Sequence, residues 1–289
     1  MDAVEYFTPR TMEEACSLLS QYKEQAKVIA GGTDLLVWMK HGEILPKYII
    51  NIRDIPNEGY IVYDDKVGLS IGALATIHSI EAASLIQEKF NILAQAASKL
   101  GTGQIRNQAT IAGNLCNASP SAELAPALIV LGAKVRILGT AGERVVLIED
   151  FFTGPGQTVL KPNEILVEIQ VPNLLPRSGG VYIKHTIRKA MDLAIVGVGI
   201  MITVDRDILS NVRIALGAVA PTPIRARKAE KILTGKRLED DLLEKAALIA
   251  SEESSPISDV RSSADYRKKM VKVLVARAIK QAAEQVQAG

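Results

Sequence analysis

Apolar positions along the chain alternate between helical and strand spacing, in a mixed order. Ala15, Leu18, Leu19 and Tyr22 recur at helical spacing behind Thr11-Met-Glu-Glu14. That tetrad is a capping box, with a hydroxyl for the first amides and a glutamate three residues on. A short apolar strand, Val28-Ile29-Ala30, runs into Gly31-Gly32-Thr33-Asp34, then a short helix or turn at Leu35 to Met39, and a second strand at Tyr48 to Ile52. Strands at 60–63 and 67–71 flank Asp64-Asp65-Lys66 as a hairpin. Helical spacing covers 77–88 and 91–100 and stops at Gly101, a residue suited to the left-handed position that ends a helix. From Gly101 to Pro120 the pattern turns polar and irregular, longer than ordinary loops and of the kind that carries function. A helix at 122–131, a strand pair across Gly139 to Gly142 and a strand at 165–171 follow. Pro172 to Gly180 (PNLLPRSGG) reads as a linker. Beyond it come strands at 181–188, 194–204 and 212–219, then helices at 226–234, 239–253 and 263–286. Strands followed by helices predict a separate α+β unit.

With 289 residues there is chain enough for about two domains. A composition 48% hydrophobic and 23% charged describes an ordered globular protein. Thirty-four Lys and Arg against 32 Asp and Glu leave a net charge of +2, too balanced for a chain built to hold nucleic acid. Two cysteines, Cys16 and Cys116, are too few for an iron–sulfur cluster or a cysteine-based structural zinc site. Three separated histidines, His41, His78 and His185, make no H-E-x-x-H motif, so no metal site is expected. The polar N-terminus does not read as a signal peptide, and the longest apolar run, Leu193 to Val204, is well short of the ~20 residues of a membrane span. The expected location is the cytoplasm.

Chemistry concentrates in two small-residue turns. In Gly31-Gly32-Thr33-Asp34, consecutive amides can point into one concavity and cradle a phosphate, with a following helix adding partial positive charge. A tight strand-to-helix turn is the plainer reading of the same residues. Thr110-Ile-Ala-Gly-Asn114 likewise offers close backbone approach and two neutral hydrogen-bonding side chains, or an ordinary loop with Asn in a left-handed turn. Two such turns suit a long, bent, phosphate-bearing ligand. Neither G-x-G-x-x-G nor a P-loop is present, and Gly68-Leu-Ser70-Ile-Gly72 matches a nucleophile elbow only in letters, because Val67, Leu69 and Ile71 alternate through it as a continuous strand. Basic clusters at Arg225, Arg227, Lys228 and Lys231, and at Arg267, Lys268, Lys269 and Lys272, read as solvated helix faces or as docking surfaces for another subunit.

AGGTDL (30–35), QIRNQATIAGNLCNASP (104–120), PNEILVEIQVP (162–172), GAVAPTPIRA (217–226) and SDVRSSADYRKKMV (258–271) occur in order. Together they resemble the FAD-binding medium subunit of the xanthine dehydrogenase and carbon monoxide dehydrogenase family of molybdenum hydroxylases, over nearly the whole chain. The resemblance implies an α+β fold: a vanillyl-alcohol-oxidase-type FAD-binding domain over 1–175, with subdomains at about 1–55 and 56–175. A small domain with a three-stranded antiparallel sheet and helices would follow over 176–289. It implies that the diphosphate lies on Val28, Ile29, Ala30, Gly31, Gly32, Thr33, Asp34 and Leu35, and on Thr110, Ile111, Ala112, Gly113 and Asn114. Gly101 matches a glycine near the flavin, Glu123 a position usually Asp, and Leu166 and Lys184 positions flanking the flavin. Ala112 replaces a more common Gly, Glu123 is one methylene longer than Asp, and Leu100 stands where some relatives carry an aromatic ring. The four-cysteine insertion of one family branch is missing.

The resemblance further implies two partners, a small subunit with [2Fe–2S] clusters and a large molybdopterin subunit. FAD on this chain would accept single electrons from the clusters and deliver pairs to an acceptor such as NAD, while the protein supplies position and electrostatics. No catalytic residue is expected here. Lys184 would stabilise the reduced, anionic flavin, although an edge-strand lysine is also an ordinary surface group. A self-contained flavin oxidoreductase of the same fold and a scaffold subunit without cofactor are the alternatives.

Overall fold

A computed structural model describes residues 4–188 and 191–288. The chain opens with β1 (Glu5–Phe7), α1 (Met12–Tyr22), β2 (Ala26–Ile29), α2 (Leu35–His41) and β3 (Tyr48–Asn51). The three strands form a parallel sheet with β3 in the centre. The capping box at α1 is real but offset. Thr11 Oγ1 accepts from Glu14 N at 3.2 Å, while the Glu14 carboxylate takes the amide of Arg10 at 2.7 Å. The stripe Met12, Ala15, Cys16 and Leu19 is buried, and Tyr22 stacks on Tyr48 with ring centroids 4.0 Å apart.

Next come β4 (Ile61–Asp64) and β5 (Gly68–Gly72), then α3 (Ile77–Ala82), α4 (Ser84–Lys89) and α5 (Asn91–Ser98). The helix expected over 77–88 is broken at Ala83, which is extended (φ −67°, ψ 116°) and whose carbonyl starts α4 by accepting from Gln87 N. Gly68 to Gly72 is a continuous strand with Leu69 and Ile71 buried on one face and Ser70 on the other, so no nucleophile elbow exists there.

The stretch 101–120 is a correction to the expected irregular loop. It contains α6 (Gly103–Gln108) and α7 (Ile111–Cys116), because Thr102 and Thr110 each act as N-cap. Their hydroxyls accept from Ile105 N at 3.2 Å and Gly113 N at 3.1 Å. Asn114 lies inside α7, not in a left-handed turn.

Every residue of α8 (Leu124–Leu131) is buried, as an all-apolar helix must be. After it come β6 (Lys134–Gly139), β7 (Gly142–Leu147), β8 (Phe152–Gly154), β9 (Gln157–Thr158) and β10 (Glu164–Val171). β4-β5-β10-β6-β7 is the order of an antiparallel five-stranded sheet.

The C-terminal part is β11 (Ser178–His185), β12 (Val196–Asp205), β13 (Ile208–Gly217) and β14 (Ile224–Arg225), followed by α9 (Arg227–Leu233), α10 (Asp240–Glu253) and α11 (Ala264–Ala288). Three long antiparallel strands carry its sheet, and the two-residue β14 extends one edge. Strand alternation divides this sheet between two cores. Tyr182, Met201 and Ala215 face the core that holds α8, Leu93 and Ile169. Val181, Ile200 and Ile214 face a second core closed by α10 and α11. Burial on both faces explains the unbroken apolar run from Val196 to Ile202.

Two expectations change here. Gly179 and Gly180 are not linker but the start of β11. A Cβ on Gly179 would fall inside contact with Ala282 O and 2.9 Å from Val286 Cγ2, so this glycine lets the strand lie against α11. Arg225 and Arg267 are not docking charges. Arg225 pairs with Glu149 and Glu230. Buried Arg267 donates to Ile195 O (2.8 Å), Ala218 O (3.0 Å) and Asp259 (2.9 Å). Arg227, Lys228, Lys231, Lys268, Lys269 and Lys272 are exposed.

Candidate functional site

A cleft of about 940 Å³, near the upper end of the range for small-molecule sites, opens on the described surface. It runs between the end of β2 with its following turn, the α6–α7 pair, the start of β10 and the segment Met191–Leu193.

Val28, Ile29, Ala30, Gly31, Gly32, Thr33, Asp34 and Leu35 all line it. Among the described residues, the amides of Gly32, Thr33 and Asp34 have no hydrogen-bond acceptor in the protein. Gly32 supports this turn with a left-handed φ of +72°. Gly31 serves a different purpose. Its Cα lies against the α6–α7 junction so closely that an added Cβ would be 2.8 Å from the Gln108 carbonyl carbon and 2.9 Å from Ala109 Cα. The two turns singled out in the sequence are therefore adjoining parts of one wall. Asp34 stands at the N-cap of α2 without bonding any helix amide, so its carboxylate is free to accept from a ligand hydroxyl. Surrounding protein pushes that carboxyl above its ordinary value.

The second turn contributes differently from expectation. Ile111 N donates to Ala75 O (3.0 Å), Ala112 N to Ala73 O (3.3 Å), Gly113 N to Thr110 Oγ1 (3.1 Å) and Asn114 N to Thr110 O (3.0 Å). These amides are occupied, so the turn is not a second amide cradle. Thr110, Ala112, Gly113 and Asn114 still line the cleft, whereas Ile111 is fully buried in the core and does not. What this turn offers is Asn114, whose Oδ1 is buried without any hydrogen-bond partner. A buried orphan acceptor calls for a donor from a ligand.

Gly101, in the left-handed region at φ +47°, Glu123 and Leu166 all line the cleft. Lys184 stands behind the wall. Its Nζ donates to Glu123 Oε1 (2.7 Å), Lys99 O (3.0 Å) and Asp192 O (2.6 Å). All three ammonium protons are thus engaged within the protein. Burial pushes the Glu123 carboxyl up, and the Lys184 ammonium opposes that push.

Sequence reasoning missed several lining residues. Thr102, Ser119 and Ser121 sit in the polar run and were legible as polar groups in it. Trp38, Lys161 and Met191–Leu193 come from segments with no local signal. Cys116 also lines the cleft, but burial pushes its thiol up to about 12, and that of Cys16 to about 11, so neither is a nucleophile at neutral pH. Glu164 is held by Arg144 Nη2 at 2.7 Å and Asp192 accepts the amide of Arg188 at 3.0 Å.

Unpaired amides, a free carboxylate and an orphaned carboxamide along one elongated cleft fit a ligand with a diphosphate and several hydroxyls, and FAD has both. Residues 2–174 match the sequence family described as the FAD binding domain in molybdopterin dehydrogenase, and residues 182–282 match the CO dehydrogenase flavoprotein C-terminal domain. The chain is 33% identical to the glyceraldehyde dehydrogenase medium chain of Sulfolobus acidocaldarius over 278 residues, covering 96% of this chain and 98% of that one. It is 32% identical to the xanthine dehydrogenase FAD-binding subunit of Escherichia coli O157:H7, covering 97% and 96%. Carbon monoxide dehydrogenase from Hydrogenophaga pseudoflava superposes with a TM-score of 0.94 at 33% identity, over 96% of each chain.

Proposed function

From the premise that this chain belongs to the FAD-binding medium subunits of the xanthine dehydrogenase and carbon monoxide dehydrogenase family, we propose that it relays electrons between subunits of a molybdenum hydroxylase complex. It is an oxidoreductase subunit and its cofactor is FAD. The proposal adds the direction of flow. Electrons arrive from [2Fe–2S] clusters on a small partner subunit, having left the substrate at molybdopterin on a large one, and depart to an acceptor such as NAD. We place this work in the cytoplasm; no described helix is long and apolar enough to cross a membrane. We also propose a boundary near 175/176 between the FAD-binding domain and the C-terminal domain.

One observation carries the relay reading: three of the five carboxylates that line the cleft are committed to the protein. Glu123 is paired with Lys184, Glu164 with Arg144, and Asp192 closes its own turn. Among the described residues, no histidine or tyrosine lines the wall to act as acid or base on an organic substrate. The amides of Gly32, Thr33 and Asp34 would hold the diphosphate, and the Asp34 carboxylate and Asn114 carboxamide would hold hydroxyls. Gly101, Leu166 and Met191–Leu193 would border the ring system and limit water there. Bound FAD supplies the redox chemistry, accepting electrons singly and releasing them in pairs.

The test is reconstitution. The isolated chain should carry about one FAD and leave purines and aldehydes untouched, and addition of the iron–sulfur and molybdenum subunits should make FAD reduction depend on substrate. Oxidation of such a substrate by this chain alone, at the rate of the full complex, would overturn the relay.

A further inference from the structure

We infer that Arg106 is a positioning residue: it clamps the Leu100–Thr102 turn to α3 and thereby sets how tightly the cleft holds the flavin half of FAD, without itself touching the cofactor. The inference rests on the cleft being the FAD site.

The turn between α5 and α6 has little to hold it locally. Gly101 takes a left-handed angle, and a Cβ added to the nearby Gly103 would meet nothing within 4 Å. Leu100, Gly101 and Thr102 all line the cleft, and Leu100 is buried. Its carbonyl needs a donor, and Arg106 supplies one. Arg106 Nη1 donates to Leu100 O at 3.0 Å while Nε donates to Glu81 Oε2 at 2.7 Å. The guanidinium is planar and its donors point in fixed directions, so the two bonds together locate the Leu100 carbonyl relative to α3. The Arg106 side chain is only 18% exposed, and Arg106 does not line the cleft.

The other end of α3 is attached to the opposite part of the cleft. At its start, Ile77 N donates to Ala109 O at 2.9 Å, and just before it Ala75 O accepts from Ile111 N at 3.0 Å. Ala109 is the residue against which Gly31 lies. Glu81 stands about one helical turn beyond Ile77. A path of close contacts therefore runs from Gly31 through Ala109 and α3 to Glu81, Arg106 and Leu100. It joins the amide turn that would hold the diphosphate to the turn that would border the ring. Its last link, from Glu81 through Arg106 to Leu100, is made by side chains and can be removed without cutting the rest.

FAD would span both ends, whereas ADP carries the diphosphate and adenosine without the flavin and would use the Gly32–Asp34 end alone. Loss of the clamp leaves that end in place and releases the other. A role in general stability would instead lower both affinities together. Three full-length, FAD-free chains are compared by calorimetric titration with FAD and with ADP. They are wild type, Arg106→Met, and the double variant Glu81→Gln/Arg106→Met, which leaves no unpaired carboxylate if the single variant folds poorly.

Both variants are expected to bind FAD at least tenfold more weakly than wild type and to bind ADP within twofold of it. The inference is overturned if the double variant binds FAD like wild type, because the turn then keeps its place without the clamp. It is equally overturned if ADP affinity falls as far as FAD affinity, because Arg106 then supports the whole wall and not the ring end. A wild-type chain that binds neither FAD nor ADP would remove the underlying reading, and the inference with it, before any substitution is made.

Discussion

Replacing Gly31 with alanine is the sharpest probe of how the cleft wall is built. Gly31 does not lie in the left-handed region, so alanine suits its backbone. Elsewhere such a change would stabilise by about 0.4–1 kcal/mol through the unfolded chain. Here the new Cβ would lie inside contact with Gln108 O, 2.8 Å from Gln108 C and 2.9 Å from Ala109 Cα. Ordinary contact starts at 3.4 Å, so the turn must withdraw by about 0.5 Å or more from atoms that are backbone and cannot rotate away. Overpacking of this kind costs about 1–3 kcal/mol. Withdrawal also moves the free amides of Gly32, Thr33 and Asp34 away from Asn114 across the wall. If that cost falls on binding, FAD affinity drops about 5- to 150-fold. Urea unfolding of the FAD-free chain and titration with FAD measure the two shares. Gly103→Ala is the control, because no atom lies within 4 Å of its added Cβ, and it should leave both quantities at or above wild type. Wild-type stability together with wild-type affinity in Gly31→Ala would refute the claim that the two turns form one rigid wall.

Trp38, the single tryptophan of the chain, lines the cleft, so its emission should be quenched saturably by FAD. FMN, which lacks the diphosphate and adenosine, should bind at least tenfold more weakly in the same titration; equal affinities would remove the diphosphate from the argument. Arg267→Ala should destabilise the chain by about 3 kcal/mol in urea, since it strands the carbonyls of Ile195 and Ala218 and the Asp259 carboxylate. Burial alone would raise the Asp259 carboxyl, but bonds from Arg261 N, the Arg267 guanidinium and Ser262 N hold it at about 2. Its contribution to stability is therefore present above the ordinary value near 3.9 and disappears as pH falls toward 2. Arg267→Ala should flatten the stability profile across that window, and a profile as steep as wild type would show that Arg267 does not hold Asp259 down.

Local pattern carried the elements wherever one face of an element meets one core. The α1 stripe, the β6–β7 hairpin turning at Gly139 to Gly142, and the helices after Ile224 are of this kind, since period and caps are written in adjacent residues. Pattern failed where a single residue type serves two purposes. Thr102 and Thr110 look like loop residues in a polar run, yet each caps a short helix, because a hydroxyl in front of three free amides competes well with water. Gly179 looks like linker freedom and is instead a contact with α11. Arg267 and Lys184 look like surface charge, yet both side chains are largely covered, because only the tertiary fold brings carbonyls from distant segments to their tips.

The candidate site divides along the same line, and the division says what the site depends on. The Gly31–Asp34 turn was legible because its donors are its own amides, available once Gly32 adopts a left-handed angle. The Thr110–Asn114 turn resembles it in letters but not in chemistry, since its amides already serve Ala73, Ala75 and Thr110. Its role is therefore set by position: it places the Asn114 carboxamide beside the first turn, and contact between Gly31 and the α6–α7 junction fixes that spacing. At the other end, Lys184 Nζ donates both to Glu123 Oε1 and to Asp192 O, joining the Met191–Leu193 segment to the start of α8. The cleft wall is thus tied at two places by contacts within the protein. A change at either contact should alter affinity for the whole cofactor, whereas a change at the Gly32–Asp34 amides should weaken mainly the diphosphate and lower the advantage of FAD over FMN.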